Sequence, residues 1–94
     1  MRKISLDSTV QVADEVVSCD LDGEAAILNI KDGVYYGLDP VGAKIWNLIQ
    51  KPIILYEVVE VIWNEYDVNK DQCKDDLMEL VENLFEYGLV KVNE

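Results

Sequence analysis

With 94 residues, the chain is long enough for one domain, spanning 1–94, with one modest core, and too short for two independently folding units. Half of the residues are hydrophobic, 29% are charged, and there are only five glycines and two prolines, which excludes a disordered tail or a fibre. Nineteen acidic against eight basic side chains give a formal net charge of -11, a field that repels phosphate backbones and anionic headgroups, so neither nucleic acid nor membrane is an expected partner, whereas a basic peptide or basic protein patch is drawn in.

The N-terminus, Met1-Arg2-Lys3-Ile4-Ser5-Leu6-Asp7, has positive charge without an apolar stretch behind it, unlike a secretory signal. The longest apolar run, residues 52–56, falls far short of the roughly 20 residues of a membrane-spanning helix. A cytoplasmic location is therefore expected. Histidine is absent and Cys19 and Cys73 stand apart, so there is no zinc-ligand spacing, and neither a metal nor a cofactor is expected. Both cysteines are read as buried apolar residues.

In chain order, residues 10–13 and 16–19 carry β-branched residues on either side of Asp14-Glu15, which fits two short strands or one bulged strand. Asp20-Leu21-Asp22-Gly23 supplies turn chemistry, residues 24–30 form a further extended run, and Lys31-Asp32-Gly33 turns it into Val34-Tyr35-Tyr36-Gly37-Leu38, the clearest hairpin. Alternation places Val34, Tyr36 and Leu38 on one face, expected to be the core face.

Asp39-Pro40 starts a helix expected over 40–50, because aspartate caps free amides and proline suits the first helical position; its apolar stripe is Val41, Ile45, Trp46, Leu48 and Ile49. A second helix is expected over 55–66, burying Val58, Val59, Ile62 and Trp63, although Ile53-Ile54 offers it no polar cap. Asn69 opens the third helix with Gln72 completing a capping box, and Gly88 ends it. Leu89-Val90-Lys91-Val92 reads as a final strand. The expected fold class is α+β: a winged helix-turn-helix, with an N-terminal three-stranded antiparallel sheet followed by three helices and a short C-terminal strand.

Catalysis would require a proton-shuttling group, an activated nucleophile or a metal site, and the sequence offers none of these, so the chain is expected not to be an enzyme. A winged helix raises the thought of DNA, but the third helix carries Asp71, Asp75, Asp76, Glu79, Glu82 and Glu86 against Lys70 and Lys74, and would repel phosphates. The apolar residues of that helix, Leu80, Cys73, Leu84, Leu77, Val81, Phe85 and Met78, sweep roughly 180°, wider than a one-sided stripe needs. With the 34–38 strand as a free sheet edge, the surplus sector outlines a groove for an extended apolar peptide, whose walls include Met78 and whose pockets Tyr35 and Tyr36 could line.

The stretch Gly33-Val34-Tyr35-Tyr36-Gly37-Leu38-Asp39-Pro40-Val41-Gly42-Ala43-Lys44-Ile45-Trp46-Asn47-Leu48-Ile49 resembles the PqqD-like family, the peptide-recognition domains (RiPP recognition elements) of ribosomal natural-product pathways. The likeness continues through Glu57-Val58-Val59, Tyr66-Asp67-Val68, residues 77–84 and Phe85-Glu86-Tyr87-Gly88-Leu89-Val90. It is similar above all to the free-standing leader-binding proteins of lasso-peptide biosynthesis. The resemblance implies a non-catalytic domain that takes the leader of a precursor peptide as an added β-strand and presents it to a leader peptidase and a cyclase. By position it implies a peptide-binding groove of Val34, Tyr35, Tyr36, Gly37, Leu38, Cys73, Lys74, Leu77, Met78 and Val81. A departure is residues 52–55, where a Thr or Ser cap is usual. The alternatives are a peptide chaperone for a radical SAM enzyme, or an acidic winged-helix adaptor between proteins; a transcriptional regulator is disfavoured by the acidic third helix.

Overall fold

The computed structural model describes residues 4–93. Its elements, in order, are β1 (Thr9–Val12), β2 (Val16–Leu21), β3 (Glu24–Asn29), β4 (Val34–Leu38), α1 (Pro40–Leu48), β5 (Ile53–Ile54), α2 (Leu55–Glu65), α3 (Lys70–Glu86) and β6 (Val90–Asn93). This is an α+β fold with three helices and two three-stranded antiparallel sheets, ordered β5-β1-β6 and β2-β3-β4.

The second sheet is a meander set by its turns. Asp22 and Gly23 both have positive φ, 60° and 93°, the backbone that a two-residue hairpin requires, and they pair Leu21 with Glu24. Gly33 at φ 71° closes the β3–β4 hairpin, in which Asn29 faces Val34 and Ala25 faces Leu38. The first extended region is two strands: Glu15 turns the chain at φ 57°, and β1 leaves the meander to lie between β5 and β6. Its register, Thr9 opposite Asn93 and Val12 opposite Val90, joins the two ends of the described chain and buries Val10 completely. The C-terminal strand is thus paired within a sheet whose central strand comes from the N-terminal region.

The missing polar cap of α2 has a structural substitute. Leu55 N donates to Ser8 O at 3.0 Å and Tyr56 N to Leu6 O at 2.9 Å, so backbone carbonyls ahead of β1 satisfy amides that a Ser or Thr side chain would otherwise take. Ile53–Ile54 pair with β1 and hold that geometry. The other helix starts follow the sequence: Asp39 Oδ1 accepts from Gly42 N at 2.8 Å, and Asn69 Oδ1 accepts from Gln72 N at 3.1 Å. The reciprocal half of the expected capping box is absent, because the Gln72 amide turns down the helix to Asp76 at 2.9 Å. At the other end of α3, Gly88 at φ 74° lets its own N–H reach Phe85 O and the Leu89 N–H reach Leu84 O, a Schellman closure.

The core lies between the helices and both sheets: α1 packs on β3 and β4, α2 on α1 and α3, and α3 on β6, around Val10, Ile27, Leu38, Ile45, Trp46, Leu55, Val58, Val59, Ile62, Leu77, Val81, Leu84 and Val90. Four sequence expectations are corrected. Trp63 is 37% exposed, because α2 turns it outward to receive Lys70, whose Nζ lies 4.7 Å from the indole centre and 2.8 Å from Glu60. Val41 is exposed, because it faces an open cleft while Gly42 and Ala43 of the same turn are buried. Val34 is exposed at the hairpin end, so only Leu38 and, in part, Tyr36 of its face reach the core. Cys19 is exposed on the outer side of β2; only Cys73 is buried.

Candidate functional site

Strand β4 is the edge of its sheet, so alternate amides and carbonyls of Val34–Leu38 face away from β3, with no strand beyond them among the described residues. Facing this edge is an open groove of about 620 Å³. Tyr36, Gly37 and Leu38 form one side. Ile45 and Ile62, both buried, contribute to the floor with Leu77. Val41 and Gly42 of α1 and Tyr66 and Val68 of the α2–α3 linker close one end, and Gln72, Cys73, Asp76, Glu79, Leu80 and Asn83 form the α3 wall. Gln72 to Asn83 rises about 16 Å along the helix, whereas the lining part of β4, Tyr36–Leu38, extends about 10 Å, so the groove runs beside the C-terminal half of the strand.

Local sequence explains each wall. Asp39 and Pro40 start α1 immediately after β4, and Gly42 lets that helix approach: a Cβ there would meet Leu38 Cδ2 at 3.1 Å and Asp39 Oδ1 at 3.2 Å. At the far end, buried Asn29 fixes the spacing of strand and helix. Its amide donates to Tyr87 O at 3.2 Å and to Asp32 at 3.4 Å, and its Oδ1 accepts from Lys31 N and Asp32 N. The rings of Tyr36 and Tyr87, 5.2 Å apart, join β4 to the end of α3. Lys44–Glu65 at 2.9 Å ties α1 to α2, and Lys70–Glu60 ties α2 to α3; each carboxylate, through its hydrogen bond first, raises the pKa of its lysine.

The residues expected from the sequence divide by place. Tyr36, Gly37, Leu38, Cys73 and Leu77 meet around the groove. Val34 and Tyr35 lie on the same strand, with Tyr35 pointing to the opposite face of the sheet and 72% exposed. Lys74 and Met78 lie outside the groove lining and Val81 is fully buried. Leu80, which the sequence placed with Cys73 on the alternative margin of the apolar sector, lines the groove, and Asp76 and Asn83 join it without having been expected there; their shared signal is the three-and-four spacing 73-76-80-83, one helical stripe. Burial first, and then the Asp76 charge, raise the Cys73 thiol pKa above its ordinary value, so it is a neutral wall residue at neutral pH.

A second surface shares β4. Across the sheet, Val17, Leu28 and Tyr35 align in one row and Cys19, Ala26 and Gly37 in the next, with Leu21 opposite Glu24 beyond. Antiparallel sheets normally turn polar residues outward. Here the outer face is almost wholly apolar, with Val17 at 49% and Leu21 at 51% exposure. Among the described residues no group of three His, Cys, Asp or Glu side chains could hold a metal ion, and no helix is long and apolar enough to cross a membrane.

The family match decides what kind of protein this is: the PqqD family, Coenzyme PQQ synthesis protein D, matches residues 24–90, which includes β3, β4 and all three helices. The chain belongs to the PqqD family. A solved structure, TbiB1 in complex with the TbiA(beta) leader peptide, is similar at a TM-score of 0.81 and 33% sequence identity, over 86% of this chain and 94% of that one. No curated protein matches the sequence.

Proposed function

We propose that this PqqD-family chain is a non-catalytic recognition element of lasso-peptide biosynthesis, which binds the leader of a precursor peptide as a strand added to β4 and presents the precursor to a separate leader peptidase and cyclase. The observation that carries the reading is the unpaired β4 edge beside a groove with an apolar floor, in a fold similar to one solved with a leader peptide bound. Backbone pairing along β4 supplies general affinity, and alternate leader side chains entering the groove supply specificity.

The arrangement of α1–α3 with the β6 extension serves as a winged helix-turn-helix put to peptide binding, with an α3 too acidic for phosphates. Without histidine or a metal-ligating set, the chain accelerates its partners' reactions by raising the local concentration of substrate. The uncovered outer face of β2-β3-β4 supports presentation: a strand added at β4 would enlarge that face, so a processing enzyme docked there would contact recognition element and leader together. The setting is the cytoplasm, in a single cofactor-free domain.

The test is titration of the 15N-labelled protein with a synthetic leader of the precursor encoded beside it. Amide shifts should move along Val34–Leu38 and on α3 residues 72–83, and hardly at all on β6. Shifts confined to α2 or β6, or no saturable binding, would refute it.

A further inference from the structure

The groove has an apolar floor but a one-signed rim. Asp76 and Glu79 line it on α3, Asp39 lines it at the start of α1, and among the described residues no lysine or arginine lines it. Asp39 is engaged in capping α1. Asp76 receives a single hydrogen bond, from Gln72, leaving acceptor capacity on a carboxylate that has about four lone-pair sites. Glu79 is exposed, and Asp76 and Glu79 are three residues apart on one helix face, neighbours at about 5–6 Å. Lys44 of α1 and Lys70 of α3 are paired elsewhere, with Glu65 and Glu60, and Lys74 lies outside the groove lining.

A strand paired with β4 directs every second side chain into the groove, at a repeat of about 6.8 Å. The inner part of the groove, around Leu77 and Leu80, takes an apolar side chain. A neighbouring groove-facing side chain that crosses Leu80 toward solvent emerges between two carboxylates. Long basic side chains suit that path, because their methylene stems lie on apolar surface while the charged head stays at the rim. A guanidinium, with five donors in a planar fork, can bridge two carboxylates that an ammonium engages less completely.

Resting on the leader-binding reading above, we propose that this groove selects leaders that pair an apolar side chain with a basic one, arginine above lysine, two positions apart on the groove-facing side of the added strand, the basic head lying between Asp76 and Glu79. The net charge of -11 steers the same leaders toward the protein, so their association is salt-dependent.

The test uses the full chain and fluorescein-labelled synthetic leader of the precursor encoded beside it, with fluorescence polarisation at 50 and 500 mM salt. Asp76→Asn with Glu79→Gln keeps shape and hydrogen bonding while removing both charges. It should weaken binding about tenfold at low salt and much less at high salt, with the thermal midpoint unchanged. Replacing the leader's groove-facing Arg or Lys by citrulline or Gln should cause the same loss in wild type and no further loss in the double variant. Leu80→Asp is the parallel probe of the groove itself. If Leu80→Asp weakens binding by about fiftyfold while the double variant binds like wild type at both salts, leader recognition stands and the basic-residue inference falls. A cognate leader that binds in the groove without any Lys or Arg on that side would overturn it equally. If wild type binds no leader at all, the underlying reading fails with it.

Discussion

Leu80 and Met78 make a matched pair for locating the peptide wall of α3. Both are partly buried apolar residues packed against the core, roughly 200° apart around the helix, and only Leu80 lines the groove. Each change to Asp therefore costs the free domain a similar amount, about 1–2 kcal/mol. Their effects on binding should differ. A bound leader covering the accessible part of Leu80 removes roughly 50 Å² of apolar surface from water, about 1.3 kcal/mol at 25 cal/mol per Å². An aspartate there also places a carboxylate against apolar leader, beside Asp76 and Glu79, adding a penalty of about 1 kcal/mol or more. Together about 2.3 kcal/mol predicts roughly fiftyfold weaker binding for Leu80→Asp. Met78→Asp should change it less than about twofold, because nothing carried over from the free domain changes at the groove. Calorimetric titration with the leader, alongside thermal melts of both variants, measures this. Equal losses of affinity, or a greater loss for Met78→Asp, would refute the placement of the leader on the Cys73–Leu80 side.

Three further outcomes follow from specific contacts. Asn29→Ala removes the amide that ties β3 to Tyr87 O and the acceptor of two hairpin amides, so it should cost about 2–3 kcal/mol in urea melts and weaken leader binding as the groove spacing loosens; an unchanged denaturation midpoint would contradict that anchoring role. Thiol titration with a disulfide reagent should modify exposed Cys19 quickly and Cys73 slowly at pH 7, with the Cys73 rate rising only at a pH above the ordinary thiol range and slowed further by leader; equal rates at the two sites would show Cys73 to be open. Val17→Lys with Leu21→Lys, on the outer sheet face and remote from the β4 edge, should leave leader affinity intact and reduce binding of the purified leader peptidase at least tenfold; unchanged peptidase binding in gel filtration and calorimetry would remove that face from the presentation reading.

Much of this protein was legible one element at a time, because the determinants are local. Asp39-Pro40 and Asn69 begin α1 and α3 through side-chain oxygens that reach amides three residues on, and Gly88 ends α3 because its backbone tolerates positive φ. The same holds for the β3–β4 hairpin at Asp32-Gly33, and for the motif from Gly33 to Ile49 that carried the family resemblance. Where partners are distant in sequence, periodicity had nothing to say. The cap of α2 is made by the Leu6 and Ser8 carbonyls, and the separation of β1 from the meander depends on strands at the opposite end of the chain. Trp63 sits at a core-like helical spacing yet faces Lys70 and solvent, and Cys19 alternates onto a sheet face that is apolar but uncovered. The width of the apolar sector on α3 was readable from spacing alone. Which of its two margins faces the β4 edge was not, since rotating the helix about its axis preserves every spacing in the sequence. That rotation is set by how Leu77, Val81 and Leu84 seat in the core as α3 packs on α2 and β6, and it is this packing that puts Cys73 and Leu80, rather than Met78, along the groove.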